Sequence, residues 1–276
     1  MSESEGQPTG GEGANRNPTP LIAWIAIATV CGLLVAGTFV WQRIKRNADN
    51  TAACCENFKK IVLAMHAYHD TLGCFPPAYY ADKTGRPVHS WRVLLLPFLG
   101  QRTLYNKYRF DEPWDGPHNR DLVSQMPVAF RCPTESADAT NTSYVVVTGA
   151  GTVFPGASCS RIADIQDGPA NTILFVEIAN SGINWMDPRD LTFEQAIAGI
   201  NPASAPGISG RHGPFATVAT ADGSIWMLPE KLSRDTLSKL LLRNDGEVIP
   251  DFGRRQGSAV QPTPDAPPPP EGAIYK

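Results

Sequence analysis

The chain has 276 residues, 42% of them hydrophobic, and a formal net charge of −3, which suits one globular domain with a membrane anchor and tails. The near-neutral charge argues against a nucleic-acid partner, because proteins that bind nucleic acid usually present a basic surface. The six cysteines are too few for a disulfide scaffold, and they include no C-x-x-C pair of the kind found in zinc ribbons and thioredoxins.

A run without any charged side chain extends from Leu21 to Trp41. A helix rises about 1.5 Å per residue, so this run is long enough to cross a hydrocarbon layer of about 30 Å. The run is longer than the apolar core of a signal peptide, which has about 7–15 residues. The sequence therefore predicts an uncleaved transmembrane helix over residues 21–41. Residues 1–20 are rich in Gly, Ser, Glu and Pro and are predicted to be a disordered tail.

The helix is predicted to continue to Leu72, because no proline or glycine interrupts the chain between Thr38 and that residue. Gly73 follows as a C-cap glycine would, and Pro76-Pro77 prevents the helix from resuming. Apolar and aromatic residues recur at helical spacing in the second half of the helix: Phe58, Ile61, Val62, Met65, Tyr68, His69 and Leu72. This pattern predicts that one face of the helix is buried.

Strand signals begin after Ser143, in segments rich in β-branched and aromatic residues: 144–147, 172–178, 215–219 and 224–228. The last two segments flank Asp222-Gly223, which is a strong signal for a tight hairpin turn. A long helix followed by antiparallel strands predicts an α+β domain over residues 42–253, in which helix 42–72 covers one face of the sheet. Residues 254–276 are rich in proline and are predicted to be a second disordered tail.

Three shorter helices are indicated by capping residues. Ser90 is placed to cap a helix that begins at Trp91. Asp187-Pro188 resembles an N-cap and first helical position, and it predicts a helix through Ile197. Ser233 is placed to cap a closing helix near the end of the domain.

Several short segments, in this order, resemble a family of planctomycete pilin-like proteins that carries a domain of unknown function. The segments include Cys55-Glu56-Asn57-Phe58-Lys59-Lys60-Ile61, Ala67-Tyr68-His69-Asp70, Phe75-Pro76-Pro77-Ala78, Ser90-Trp91-Arg92-Val93-Leu94-Leu95, Asp111-Glu112-Pro113-Trp114-Asp115, Arg131-Cys132-Pro133 and Ala221-Asp222-Gly223-Ser224. Members of this family are similar to the G-type pseudopilin of type II secretion. The resemblance implies a pilin-like fold with its first helix in the membrane and partners among other envelope or pilin-like proteins. It implies no established activity.

The chain departs from this resemblance at the start of the anchor. Prepilins carry a glycine at the cleavage point, followed by Phe-Thr-Leu and a glutamate. Here the corresponding residues read Asn17-Pro18-Thr19-Pro20-Leu21-Ile22. Processing by a prepilin peptidase and assembly into a pilus are therefore not expected, and the chain looks like a pilin-like domain on a permanent anchor.

Two groups of residues are weak candidates for a metal site. His66 and His69 lie three residues apart on the long helix, but packing is favoured because the usual zinc-helix motif with its glutamate is absent. The pseudopilin resemblance implies a candidate calcium site at Asp164, Asp167 and Asp222. Asp167 and Asp222 each precede a glycine, which is typical of turns. The sequence therefore predicts no bound metal and no cofactor.

No catalytic residue is predicted, and the chain is not expected to be an enzyme. Ser158-Cys159-Ser160 and His212 raise the question of a nucleophile and a base. No Gly-x-Ser-x-Gly elbow is present, and His212 stands just before a predicted strand, where a contact within a turn is favoured.

An aromatic cluster and a cysteine pair complete the candidates. Phe75, Tyr79, Tyr80 and Trp114 are a candidate surface for glycans or proline-rich peptides, although burial against the long helix is favoured. A disulfide between Cys74 and Cys132 is predicted, because both stand next to proline-bearing segments that follow secondary structure.

The sequence favours a membrane-anchored structural or scaffolding protein of the cell envelope, with a secretion-associated role as one form of it. The alternatives are a glycan- or protein-binding module and, less favoured, a metal-dependent enzyme that uses His66 and His69. The location of the domain is also open. Basic residues after the anchor favour a cytoplasmic domain, whereas the pilin-like resemblance and a disulfide favour an extracytoplasmic one, which we expect.

Overall fold

A computed structural model describes residues 19–136, 138–203 and 206–258. Most of the two predicted tails, residues 1–18 and 259–276, lies outside the described residues. The chain divides into two compact units, Met1–Ala48 and Asp49–Lys276.

The first element is a single long helix, α1, which runs from Thr19 to Leu72, as the absence of helix breakers predicts. Its N-terminal half exposes large apolar side chains all around, including Trp24, Leu33, Phe39 and Ile44. By length and composition this helix is able to cross a membrane. The helix ends at Gly73, which has a φ of +81° and donates its N–H to the carbonyl of His69 at 2.7 Å.

The C-terminal half of α1 supplies one side of the hydrophobic core of the second unit. Its buried residues are Cys54, Phe58, Ile61, Val62, Ala64, Met65 and Tyr68. The ring of Phe58 stacks on Phe175 with 4.7 Å between centroids and meets the edge of Tyr144 at 5.0 Å. The one-sided pattern in the sequence thus corresponds to the face that packs on the sheet.

The strands of the second unit are β1 (Tyr79–Ala81), β2 (Pro87–Ser90), β3 (Tyr144–Val145), β4 (Val147–Thr148), β5 (Ile173–Glu177), β6 (Leu191–Thr192), β7 (Phe215–Thr220), β8 (Ser224–Pro229) and β9 (Arg254–Ser258). The shorter α-helices are α2 (Trp91–Leu94), α3 (Arg102–Lys107), α4 (Phe193–Ala196) and α5 (Arg234–Leu241). Short 3-10 helices occupy Leu96–Leu99, Asn119–Gln125, Val128–Phe130 and Ile162–Asp164.

The main sheet has five antiparallel strands in the order β3-β5-β7-β8-β9. One face packs on α1, and Tyr144, Phe175 and Ala219 belong to that core. The opposite face packs on α5 through a second core, to which Val218 and Leu240 belong. The predicted α+β fold, a long helix on an antiparallel sheet, is confirmed.

Smaller pairings surround the main sheet. Strands β1 and β2 form an antiparallel pair, and β4 and β6 form a parallel pair. The hairpin between β7 and β8 turns at Asp222-Gly223, where Gly223 has a φ of +84°. Ser90 and Ser233 cap α2 and α5 as the sequence predicts, each with its hydroxyl accepting a backbone N–H.

Two predicted boundaries are wrong. The sequence places residues 254–258 in the proline-rich tail, but they form the edge strand β9, whose polar residues carry no apolar alternation that would predict a strand. The helix predicted from Asp187-Pro188 begins only at Phe193, because Leu191–Thr192 pair with β4. Thr192 then caps α4 in a capping box with Gln195.

The predicted disulfide between Cys74 and Cys132 is also wrong, because Cys74 pairs with Cys159 at a Cα–Cα distance of 5.9 Å. The neighbouring backbone explains the choice of partner. Phe75 donates its N–H to the carbonyl of Ser160 at 2.9 Å, and Ala78 donates to Gly156 at 3.0 Å. These bonds bring the segment after α1 alongside Cys159.

Candidate metal centre

Four side chains that can bind metal meet inside the second unit. They are Cys54 on α1, Cys132 just after a 3-10 helix, Glu177 at the end of β5 and His212 in the loop before β7. One ligand atom from each residue lies within 4.8 Å of the others. This group, called the four-residue cluster below, is the only such group of three or more among the described residues.

The fold brings the four residues together through contacts close to each one. Cys54 lies on the buried face of α1. Cys132 donates its N–H to Ser143 Oγ at 2.9 Å, which fixes it beside β3. Glu177 is the register partner of Tyr144, and its carbonyl accepts the N–H of Ser209 at 3.1 Å. That last bond holds the chain that leads to His212.

The distances within the cluster are short. Cys132 Sγ lies 3.2 Å from His212 Nε2. Glu177 Oε1 lies 3.8 Å from Cys54 Sγ and 4.0 Å from His212 Nε2. The cysteines are buried and both free, and the His212 side chain is only 2% exposed. The donor atoms are thus closed off from solvent.

A second layer of polar groups surrounds the sulfur and carboxylate atoms. Tyr144 Oη lies 3.3 Å from Cys54 Sγ, and Thr134 Oγ1 lies 3.0 Å from Cys132 Sγ. Thr217 donates its N–H to Glu177 Oε2 at 3.3 Å. Hydroxyl and amide groups in these positions orient ligands around a metal.

Contacts within the cluster shift the pKa values of its acidic groups in different directions. The hydrogen bond from Cys54, with help from His212 and Thr134, lowers the pKa of the Cys132 thiol to about 4. Hydrogen bonding to Cys132 and burial raise the pKa of Cys54. Burial, and then the charge of Cys132, raise the pKa of Glu177 to about 7. Burial lowers the pKa of His212, but the bond and charge of Cys132 outweigh it, so the net change is upward.

An acidic thiol beside an imidazole suits two kinds of chemistry, a nucleophile–base pair or a metal ligand set. In a nucleophile–base–acid triad, the carboxylate holds the imidazole nitrogen that is opposite the nucleophile. Here Cys132 Sγ and Glu177 Oε1 both face the same nitrogen, His212 Nε2. The donors therefore converge on one point between them, as ligands do around a metal.

The histidines that the sequence proposed as metal ligands lie elsewhere on α1. The rings of His66 and His69 lie 5.6 Å and 5.1 Å from the ring of Phe75. His69 Nε2 also accepts the N–H of Ile162 at 3.2 Å. Both imidazoles thus pack on an aromatic ring, and neither belongs to the four-residue cluster.

The three aspartates proposed for calcium serve separate turns. Asp164 accepts the N–H of Arg161 at 2.8 Å. Asp167 accepts the N–H groups of Asp245 and Gly246 at 2.9 and 2.7 Å. A third turn uses the carboxylate of Asp222, which accepts from the backbone and hydroxyl of Ser224 and from the hydroxyl of Thr220. The structure does not bring these carboxylates together.

Phe75, one of the candidates for an aromatic surface, is fully buried in the core that includes α1, which agrees with the favoured alternative of burial against the long helix. Tyr79, Tyr80 and Trp114 are partly buried and pack against the same core. A surface cleft of about 470 Å³ lies elsewhere, lined by polar residues that include Glu135, Asp138, Asn180 and Arg211. None of the four cluster residues lines this cleft.

Sequence reasoning missed three of the four cluster residues and treated the fourth, His212, only as a possible base. The residues are separated by dozens of positions, so no local motif connects them. The one available signal was the residue types themselves: the cysteines Cys54 and Cys132, a histidine before a strand and a glutamate inside a predicted strand.

Comparisons with known proteins match part of the chain. No curated protein and no solved structure matches it. Residues 46–158 match a family described as "Protein of unknown function (DUF1559)". Cys54 and Cys132 lie within this matched segment, and Glu177 and His212 lie beyond it. The similarity assigns no activity to the cluster.

Proposed function

We propose that this chain is a single-pass membrane protein whose second unit has a structural or scaffolding role at the cell envelope. The observation that carries the proposal is the exposure of the N-terminal half of α1. Leu33 is 72% exposed and Phe39 is 68% exposed, with similar values along the whole segment from Trp24 to Ile44. A soluble protein rarely leaves so large an apolar surface uncovered, whereas a bilayer would cover all of it.

A structural role agrees with the way the second unit uses its reactive groups. The cysteines and the glutamate of the cluster are buried, and His212 is nearly so, so a substrate has no route to them. The carboxylates that sequence reasoning considered for calcium bond backbone groups in turns. These observations support a protein without an enzymatic activity of its own.

The arrangement of α1 on an antiparallel sheet supports a pilin-like domain, as the family resemblance implies. The residues at the start of the apolar run, Asn17 to Ile22, do not contain the glycine and glutamate of a prepilin cleavage motif, so we propose a permanent anchor rather than a subunit of a pilus. Its partners would then be other envelope or pilin-like proteins. The alternative of a glycan-binding aromatic surface is less favoured, because Phe75 is buried and not available to a ligand.

Membrane fractionation tests the anchor. Full-length protein is expected in the membrane pellet after an alkaline carbonate wash, with the apolar segment still present by N-terminal sequencing. Leu33→Arg with Leu34→Arg should reduce membrane insertion, because each central charge costs about 2.5–3.5 kcal/mol on insertion scales. Leu33→Ile with Leu34→Ile is the matched control and should insert normally.

Two results would contradict the anchor. Wild-type protein released by the carbonate wash would show a peripheral attachment. A mature N-terminus after Trp41 would show that the segment is a cleaved signal.

A further inference from the structure

The four-residue cluster joins parts of the second unit that are far apart in sequence. It connects α1 to the end of β5, to the loop before β7 and to the segment that precedes β3. Two thiols, one imidazole and one carboxylate supply its donor atoms. Soft thiolate and imidazole donors suit zinc, whereas magnesium and calcium prefer oxygen ligands alone.

We infer that Cys54, Cys132, Glu177 and His212 bind one zinc ion, which fastens α1 to the sheet. The four residues fill all four positions of a tetrahedral site, as in structural zinc sites that keep no open position for a substrate. The inference concerns the second unit alone and does not depend on the proposed anchor.

Three donor separations in the cluster lie within about half an ångström of those in such a site. Around a tetrahedral zinc ion, with a Zn–S bond of about 2.3 Å and Zn–N and Zn–O bonds of about 2.0–2.2 Å, neighbouring donors lie about 3.4–3.8 Å apart. The measured separations are 3.2 Å from Cys132 Sγ to His212 Nε2 and 3.8 Å from Cys54 Sγ to Glu177 Oε1. Glu177 Oε1 and His212 Nε2, at 4.0 Å, need to approach by about half an ångström.

The donor atoms of the cluster also suit a cation. Glu177 and Cys132 are buried close to each other, and as ligands they would bring a carboxylate and a thiolate to one enclosed point, where a metal cation would neutralise them. A zinc ion supplies two positive charges at the point where the donors converge. Zinc binds these residues as thiolates, a neutral imidazole and a carboxylate, so every proton on their donor atoms passes to water, including that of the Cys54 thiol and the one that His212 Nε2 shares with Cys132 Sγ. Tyr144 and Thr134 remain in place beside the sulfur atoms.

A zinc ion also explains how two cysteines can stay so close as free thiols. The ligand atoms of Cys54 and Cys132 lie within 4.8 Å, while Cys74 and Cys159 in the same unit are paired. In an oxidising compartment, such neighbours would form a disulfide unless their sulfur atoms were otherwise bound. Thiolates bound to zinc are protected from this oxidation.

Metal analysis of full-length protein in detergent tests the inference. Wild-type protein is expected to hold about one zinc ion per chain, consistent with one tetrahedral site. Cys132→Ser and His212→Gln should reduce zinc to background. Cys55→Ser and His66→Gln are matched controls on α1, outside the cluster, and should keep wild-type zinc content.

The inference is overturned if wild-type protein holds no zinc after reconstitution. It is equally overturned if both ligand variants retain as much zinc as the controls, or if peptide mapping of native protein recovers a Cys54–Cys132 disulfide.

A spectroscopic measurement on wild-type protein avoids the question of whether a variant folds. Cobalt loaded in place of zinc should give the sulfur-to-cobalt charge-transfer band and the intense visible bands of a tetrahedral thiolate site. A spectrum typical of octahedral cobalt with oxygen ligands would contradict the assignment.

The variant Glu177→Gln tests whether Glu177 is a zinc ligand or only a buried acid. If Glu177 binds zinc, the variant should lose zinc affinity by at least about tenfold, since even outer-shell partners of a metal contribute that much. If no metal binds, removal of a buried charge should instead stabilise the fold. A variant with unchanged zinc affinity and a higher midpoint of thermal unfolding would exclude Glu177 as a ligand.

Discussion

Arg92 is a fully buried arginine, and its charge is matched inside the second unit. Its Nη2 lies 2.5 Å from Asp190 Oδ1, and both side chains are 0% exposed. The same carboxylate oxygen accepts Trp91 Nε1 at 3.1 Å and the N–H of Val146 at 3.0 Å. Arg92 in turn donates from Nε and Nη2 to the carbonyl of Tyr144, at 3.1 Å each. This network holds α2 to the start of the sheet.

We expect the removal of one member of the Arg92–Asp190 ion pair to lower the free energy of unfolding far more than the removal of both. Asp190→Ala should lower the free energy of unfolding by about 3–5 kcal/mol, because it leaves the guanidinium buried without a counter-charge. Arg92→Met combined with Asp190→Leu should recover much of that loss. Chemical denaturation measures both variants. The solvent-accessible pair Lys239–Asp235 is the control, and Lys239→Ala should change stability little. Equal losses in the single and double variants would contradict the expectation.

The disulfide between Cys74 and Cys159 closes a loop with a sequence separation of 85 residues. Cys74→Ser with Cys159→Ser should lower the free energy of unfolding by about 2–4 kcal/mol, since the open chain gains freedom when unfolded. Non-reducing peptide mapping should recover these two cysteines in one linked peptide. Cys31→Ser, at an exposed free cysteine, is the control. A linked peptide that contains Cys132 would show a different pairing.

At the scale of elements, the packing of α1 on the sheet sets the stability of the second unit. Met65 is 0% exposed in the core between them. Met65→Asp should lower the free energy of unfolding by at least about 3 kcal/mol, because it buries a charge without a partner. Met65→Leu nearly conserves volume and should cost less than about 1.5 kcal/mol.

Lys60→Asp, on the exposed face of the same helix, is the charge control for Met65→Asp and should change stability by no more than about 0.5 kcal/mol. Thermal or chemical unfolding distinguishes the three variants. Similar stability of Met65→Asp and wild-type protein would show that this face of α1 does not hold the fold together.

Elements with local signals were readable from the sequence. The absence of breakers before Gly73 defines α1, and Asp222-Gly223 defines the hairpin between β7 and β8. Elements that depend on distant partners were not readable. The polar edge strand β9 forms because β8 offers free backbone groups. The start of the helix predicted from Asp187-Pro188 is instead extended, because β6 pairs with β4.

The four-residue cluster shows the same division at the scale of the whole molecule. Each of its residues has an ordinary local explanation in the sequence, for example His212 as a contact in a turn. Only the folded chain brings Cys54 on α1 next to Cys132 and Glu177. The alternation and spacing that reveal helices and strands carry no information about which buried side chains meet across a core.

Two features of the chain point to opposite sides of the membrane for the second unit. Arg43, Lys45 and Arg46 follow the apolar run and only Arg16 precedes it, which favours a cytoplasmic unit by the positive-inside rule. The disulfide between Cys74 and Cys159 favours an oxidising, extracytoplasmic compartment. We give the disulfide more weight, because the charge bias rests on a difference of two residues. Protease added to spheroplasts should then digest the second unit while a cytoplasmic marker stays intact. A unit protected until the cells are lysed would place it in the cytoplasm.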